Sequence, residues 1–212
     1  MSVAQFFDLN IGTLPDELPV LALPEGFLLP EGKLSIQMTD IKQIAQVFFA
    51  LSHGRVFAVL PKSAQTLLKI GCVGRICGFN ENDDGSLTLS LVGICRFDVS
   101  SYFSKDSYEM AKVNFLRFAQ DFESINMEKE SVLLEILKTY LYNRHIDIDV
   151  HLFSKMTCRR LLATLVSILP LDFMEKQAVL ECVDFNESVQ VLITILKMSL
   201  TDEILDKGKQ KC

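Results

Sequence analysis

The chain has 212 residues, 49% of them hydrophobic, and a formal net charge of −6. That is enough apolar mass to fill the core of one large domain or two small ones, which excludes a disordered chain. The negative balance gives no general pull toward phosphate backbones, no apolar run reaches the ~18 residues of a membrane span, and Met1–Asp8 lacks the basic stretch that opens a secretory signal.

Up to about Phe118, short apolar or alternating runs are separated by Gly, Pro, Asn and Asp, the punctuation of strands. They cover Leu18–Leu23, Leu34–Met38, Val56–Leu60, Ile70–Phe79, Leu87–Tyr102 and Tyr108–Phe115. One helix interrupts them: Asp40–Leu51 sets Ile41, Ile44, Ala45, Phe48 and Phe49 on one stripe, with Gly54 past its end, and is expected to plug one mouth of a barrel. In the fifth run the odd positions Leu87, Leu89, Leu91, Gly93, Cys95, Phe97 and Val99 are apolar or Gly, while Thr88, Ser90, Arg96 and Asp98 alternate with them. This is the period of a strand with one face in the core. Gly93 falls on that inward face and reads as a bend, and Asp83-Asp84-Gly85 reads as the tight turn of a hairpin with the preceding strand.

Beyond Asp121 the period becomes 3.6. Val132, Leu133, Ile136, Leu137, Tyr140 and Leu141 form one helical face, with Asn126 as N-cap, and Leu161, Leu162, Leu165, Val166 and Leu169 form another that stops at Pro170. Asp172 with Glu175, and Asp184 with Glu187, have the spacing of acidic capping pairs opening helices over Phe173–Cys182 and Phe185–Leu205. Two subdomains follow, residues 1–120 and 121–212, with a linker too short and too poor in Gly and Pro to be a tether.

Catalytic patterns are missing. There is no Gly-x-x-x-x-Gly-Lys-Ser/Thr cradle for nucleotide phosphates, and the glycines of Gly71–Gly78 sit inside a strand. Ser52-His53 adjacency is not expected to set a hydroxyl on the imidazole, and His145, Asp147, Asp149 and His151 read as a solvated interhelical loop rather than a metal site. Glu81–Asp84 lacks calcium-loop spacing. No catalytic residue, cofactor site or metal ligand is nominated. Cysteines 72, 77, 95, 158, 182 and 212 form no Cys-x-x-Cys pair and read as reduced thiols of a cytoplasmic protein.

The loop Glu25–Gly32 carries Phe27, Leu28 and Leu29, more apolar surface than a solvated loop holds. Two readings stand: the loop closes over the barrel mouth as core, or it is an exposed patch that captures unfolded segments.

The hairpin Ile70-Gly-Cys-Val-Gly-Arg-Ile76, Asp84-Gly85, Gly93-Ile-Cys-Arg-Phe97 resembles the N-terminal substrate-binding domain of the Lon protease family. Leu18-Pro-Val-Leu-Ala-Leu-Pro24, Leu29-Pro-Glu-Gly-Lys-Leu34 and Leu169-Pro-Leu-Asp-Phe-Met-Glu-Lys-Gln-Ala-Val-Leu-Glu181 extend the resemblance over nearly the whole chain. It departs at Ala22 or its neighbour, where the family has an aromatic, and at Lys42, Gln43 and Ser188, where it has Arg, Tyr and Arg. The resemblance implies an α+β fold: a PUA-like β pseudo-barrel with one inserted helix, then a C-terminal α-helical bundle. It also implies a non-enzymatic, stand-alone protein of bacterial type, without ATPase or Ser-Lys peptidase modules. Such a protein binds unfolded or extended polypeptide or acts as a proteolysis adaptor beside a protease or chaperone. Phe27, Leu28 and Leu29 are the expected contacts, with the cleft near Tyr140 and Tyr142 as the other location. The alternative is a PUA-like RNA-binding protein, which the acidity and the lack of Lys/Arg interleaved with aromatics disfavour.

Overall fold

The alternating runs become six strands and the 3.6-period runs become helices in a computed structural model that describes residues 12–24, 26–63, 66–106, 108–123, 130–143, 153 and 155–209. In chain order these are β1 (Glu17–Pro24), β2 (Lys33–Met38), α1 (Ile41–Ser52), β3 (Val56–Lys62), β4 (Ile70–Glu81), β5 (Leu87–Lys105) and β6 (Tyr108–Asn114). A 3-10 helix (Leu116–Phe122) leads to α2 (Glu130–Asn143), α3 (Cys158–Ile168), α4 (Phe173–Glu181) and α5 (Phe185–Lys209). Asn126 and the segment from His145 to His151 lie outside the described residues.

The strands form one mixed sheet in the order β2-β5-β4-β3-β1-β6, and β6 also pairs with β5. Five strands therefore close on themselves, because the 19-residue β5 serves two neighbours: its Leu87–Val92 half carries β2 and its Asp98–Lys105 half carries β6. Only β1 and β3 run parallel, with Val20 beside Ala58. Gly85, at φ +78°, turns β4 into β5 as its sequence demands. Asp84 accepts from both the hydroxyl and the backbone N–H of Ser86, at 2.6 and 2.9 Å, and these bonds hold its carboxyl below the usual carboxylate range.

Gly93 sits where the β4–β5 ladder shifts register, in keeping with the bend expected there, and it has a second role. A Cβ there would collide with the Leu29 carbonyl, and the backbone is stitched to the crossing loop: Glu31 N–H donates to Gly93 O and Gly93 N–H to Gly32 O, both at 2.9 Å. Glycine is required because another chain segment crosses at backbone distance. The loop is thus a strap over β5.

Three cores result. Leu18, Val20, Ala58, Val73, Phe97 and Ala111 are among those that fill the closed sheet. Val47 and Ala50 of α1 seal a second core over Phe57, Val59, Leu87, Leu89 and Leu91. The third joins the helices through residues such as Leu133, Leu137, Leu161, Leu165, Val179 and Leu192, and takes in Leu29, Ile70 and Phe118 from the β half. Local signals start the helices. Asp40 accepts from Lys42 N–H at 2.7 Å, and Asp172 and Glu175 make a reciprocal capping box. The Asp184–Glu187 pair is shifted, since Glu187 accepts from Val183 N–H instead of from the capping residue.

Candidate functional site

From Leu91 to Phe97 every residue of β5 is buried. Val92, Ile94, Cys95 and Phe97 pack in the closed-sheet core, the ladder with β4 shifts register between Gly93 and Arg96, and Arg96 meets the 3-10 helix and the end of α4. Arg96, one of the polar alternates, is consequently 2% exposed. Its guanidinium meets Asp121 through Nε–Oδ2 and Nη2–Oδ1 bonds of 3.0 and 2.8 Å, and its own backbone N–H adds a third at 2.8 Å. Nη1 donates to the carbonyls of Leu180 (3.1 Å) and Cys182, and the cation lies 4.6 Å from the Phe118 ring centre. One side chain thereby ties β5, the 3-10 helix and the end of α4 together. Arg159 of α3 donates to Gln120 O at 2.7 Å, while its Nε has no hydrogen-bond partner; burial pushes its pKa down. Burial also drives the thiols of Cys72 and Cys95 well above their ordinary range, as expected for inert core cysteines.

The nominated contact residues do not share a surface. Leu28 is buried in the core under α1 and Leu29 in the helical core, while Phe27 is half-buried with its ring 5.0 Å from that of Phe173. The strap is core, which corrects the reading of it as an exposed patch. Tyr140 and Tyr142 are two positions apart, about 200° around the helix, so they face opposite ways. Tyr140 is buried in the helical core and Tyr142 is 82% exposed.

Ser52 and His53 also correct the sequence reading, because Ser52 Oγ does lie 2.9 Å from His53 Nδ1. The pair is not a catalytic dyad. Nδ1 is 2.8 Å from the Phe49 carbonyl, which only accepts, so in that bond Nδ1 carries the proton and cannot take the one on Ser52. Ser52 itself donates to Phe49 O at 2.8 Å. The imidazole stacks on the Phe49 ring at 4.1 Å beside a cleft of about 440 Å³ whose rim holds Asp16, Glu17 and Lys105. Among the described residues no group of three or more His, Cys, Asp and Glu is placed to hold a metal ion.

Exposed large apolar side chains occur in both halves, among them Leu116, Met174 and Met198, and one group of them stands around α1. Gln46 of α1 donates to Val20 O at 2.7 Å and Phe49 packs its ring on Tyr108 at 4.7 Å, so that flank of the helix faces β1 and β6. The other flank carries Ile41, Ile44, Phe48 and Leu51 at helical spacing. Ile44 and Leu51 are partly buried against the core under α1, as are Leu34 and Ile36 of β2. Ile41 is 80% and Phe48 55% exposed, and Phe79, level with Leu89 and Ile36 across the sheet, is 53% exposed. This core is left half covered along one side, with large side chains standing at its rim.

The model of the ATP-dependent protease La (LON) substrate-binding domain matches residues 17–198. The chain belongs to this family.

Lon protease 2 of Myxococcus xanthus is 24% identical over 202 residues, which cover 89% of this chain and 24% of that protein. Lon protease of Escherichia coli K12 is 25% identical over 199 residues, covering 87% and 25% respectively. The chain spans about a quarter of the length of these relatives. In fold it matches the N terminal domain of Mycobacterium avium complex Lon protease, with a TM-score of 0.67 at 19% identity over 85% of this chain and 98% of that one. The Lon N-terminal domain protein from Xanthomonas campestris gives 0.63 at 21% identity over 85% and 97%. The mixed sheet followed by helices is therefore the Lon N-terminal fold.

Within the family's pattern, Lys42 and Gln43 stand exposed on α1, beside the apolar flank. Sequence reasoning missed that flank as a surface. It placed Ile41 and Phe48 on the buried stripe, whereas the stripe is wider than the ground it covers.

Proposed function

We propose that this Lon substrate-binding domain recognises protein substrates as unfolded or extended polypeptide, through the surface made by β2 and the Ile41–Phe48 flank of α1. The observation that carries the reading is the trio Ile41, Phe48 and Phe79 standing exposed beside a core whose members Leu34, Ile36, Ile44 and Leu51 are only partly buried, in a family of substrate-binding domains. Full burial of such a side chain by a bound segment is worth roughly 1.5–3 kcal/mol, before the cost of ordering the segment is subtracted. Of the residues first nominated, Tyr142 alone stays open to solvent, and it marks the competing location.

The same reading takes the domain as non-enzymatic and as an adaptor that presents substrates to a protease or chaperone in the bacterial cytoplasm. Among the described residues, no helix is long and apolar enough to cross a membrane. It further takes the closed sheet of residues 1–120 as a PUA-like pseudo-barrel and residues 121–212 as a helical bundle.

Binding of reduced, carboxymethylated α-lactalbumin, followed by fluorescence anisotropy, tests it. The double variant Ile41→Asp, Phe48→Asp is expected to bind at least tenfold more weakly with an unchanged melting temperature, since both side chains face water. Unchanged binding by the folded variant, or loss on Tyr142→Asp instead, would place recognition elsewhere.

A further inference from the structure

The closed sheet gives five of its strands a neighbour on each side, and β2 is the exception. Among the described residues it pairs with β5 alone, from Lys33 beside Val92 to Met38 beside Leu87. Natural edge strands are protected by proline, bulges, inward charges or a covering element. β2 has no proline, its six-residue register runs without a shift, and its one charge, Lys33, sits at its end.

The phase of the ladder shows which backbone groups of β2 are not used by β5. Gly93 N–H donates to Gly32 O, and in an antiparallel pair the bonded positions recur every second residue. Leu34, Ile36 and Met38 thus exchange bonds with Leu91, Leu89 and Leu87. Lys33, Ser35 and Gln37 turn their N–H and C=O groups to the outer edge, and these are the exposed members of the strand. No hydrogen bond among the described residues engages those outward groups.

We propose that this edge takes up its ligand as an added β-strand: an extended polypeptide segment, with apolar residues at alternate positions, hydrogen-bonded to Lys33, Ser35 and Gln37. This rests on the reading of the β2–α1 surface as the polypeptide site and specifies how the segment lies there. The complement of an unpaired ladder is another extended backbone, and every polypeptide supplies one. Side-chain selection comes from pleat geometry. Residues level with Leu34 and Ile36 share their face, the face of the core under α1, so they lie toward the Ile44–Phe48 flank. Residues level with Ser35 point the other way and are unrestricted. The site demands alternation and no particular sequence. A second copy of the chain is the poorer occupant, because self-pairing along six residues falls far short of the ~1,200–2,000 Å² buried by stable interfaces.

Ser35→Pro tests the mode. Proline removes an outward N–H that β5 does not use and sets a ring on the docking edge, a substitution edge strands tolerate. The variant is expected to keep its melting temperature and to bind reduced, carboxymethylated α-lactalbumin at least tenfold more weakly than wild type. A second measurement does not depend on the variant folding. A synthetic decapeptide of alternating Val and Thr should compete for the wild-type protein, and the same peptide N-methylated at every second residue along one edge should not. If folded Ser35→Pro and the N-methylated peptide both bind like their parents, strand addition is wrong while the surface stands. If wild type binds no unfolded probe, the surface reading falls and strand addition with it. A wild-type dimer in sedimentation that Ser35→Pro dissociates would assign the edge to a second copy and overturn the proposal.

Discussion

Arg96 makes four side-chain hydrogen bonds inside the protein, to one carboxylate and two helix-end carbonyls, with about 3% of its side chain and of its partner Asp121 exposed. Removing one member of a buried pair leaves the other charge without compensation, which costs about 3–5 kcal/mol. Asp121→Ala is therefore expected to destabilise by that amount in urea unfolding, and the pair Arg96→Met, Asp121→Leu by less than the two single changes summed. A loss under about 1 kcal/mol for Asp121→Ala would mean that the guanidinium finds water. This junction was not legible as a site. Alternation from Thr88 to Asp98 set Arg96 on the polar side of the strand, and alternation reports only on which face a residue takes. Alternation also breaks before Arg96, where the β4–β5 ladder shifts register and both Val92 and Ile94 and then Cys95 and Phe97 enter the closed-sheet core. Tyr140 and Tyr142 were grouped on nearness in sequence, and the helix turns one into the core and the other to solvent.

Most elements were legible because their signals are local. The apolar runs, the Asp84-Gly85 turn and the Asp172–Glu175 box each act within a few residues, and the structure has strands, turn and cap where they stand. The strap of Phe27–Gly32 was open to two readings, since whether an apolar loop is core depends on what packs over it, here β5 below and α3 and α4 above. Its crossing gives a direct comparison between two strand glycines. Gly93→Ala puts a Cβ into the Leu29 carbonyl and must move backbone, whereas at Gly78 the nearest atom to a new Cβ is that of Ser90 at 3.9 Å, ordinary contact. Gly93→Ala is expected to lower the melting temperature by several degrees and Gly78→Ala to leave it within about a degree, by differential scanning calorimetry. Equal effects at both positions would show that the strap yields.

At the scale of the molecule, the helical half locks to the sheet through Arg96 and the strap, so the two halves share a core that neither completes alone. On the α1 side of the sheet, β2, which among the described residues pairs with β5 alone, runs into the helix with the exposed flank. The central claim is that polypeptide is recognised on this side. Titration of the ¹⁵N-labelled protein with reduced, carboxymethylated α-lactalbumin, read by amide chemical-shift changes, tests it most directly. The expected result is a set of perturbations confined to Lys33–Ser52 and the neighbourhood of Phe79, with the helical half unmoved. Perturbations centred on α2 around Val132 and Tyr142, or none at saturating polypeptide, would contradict it.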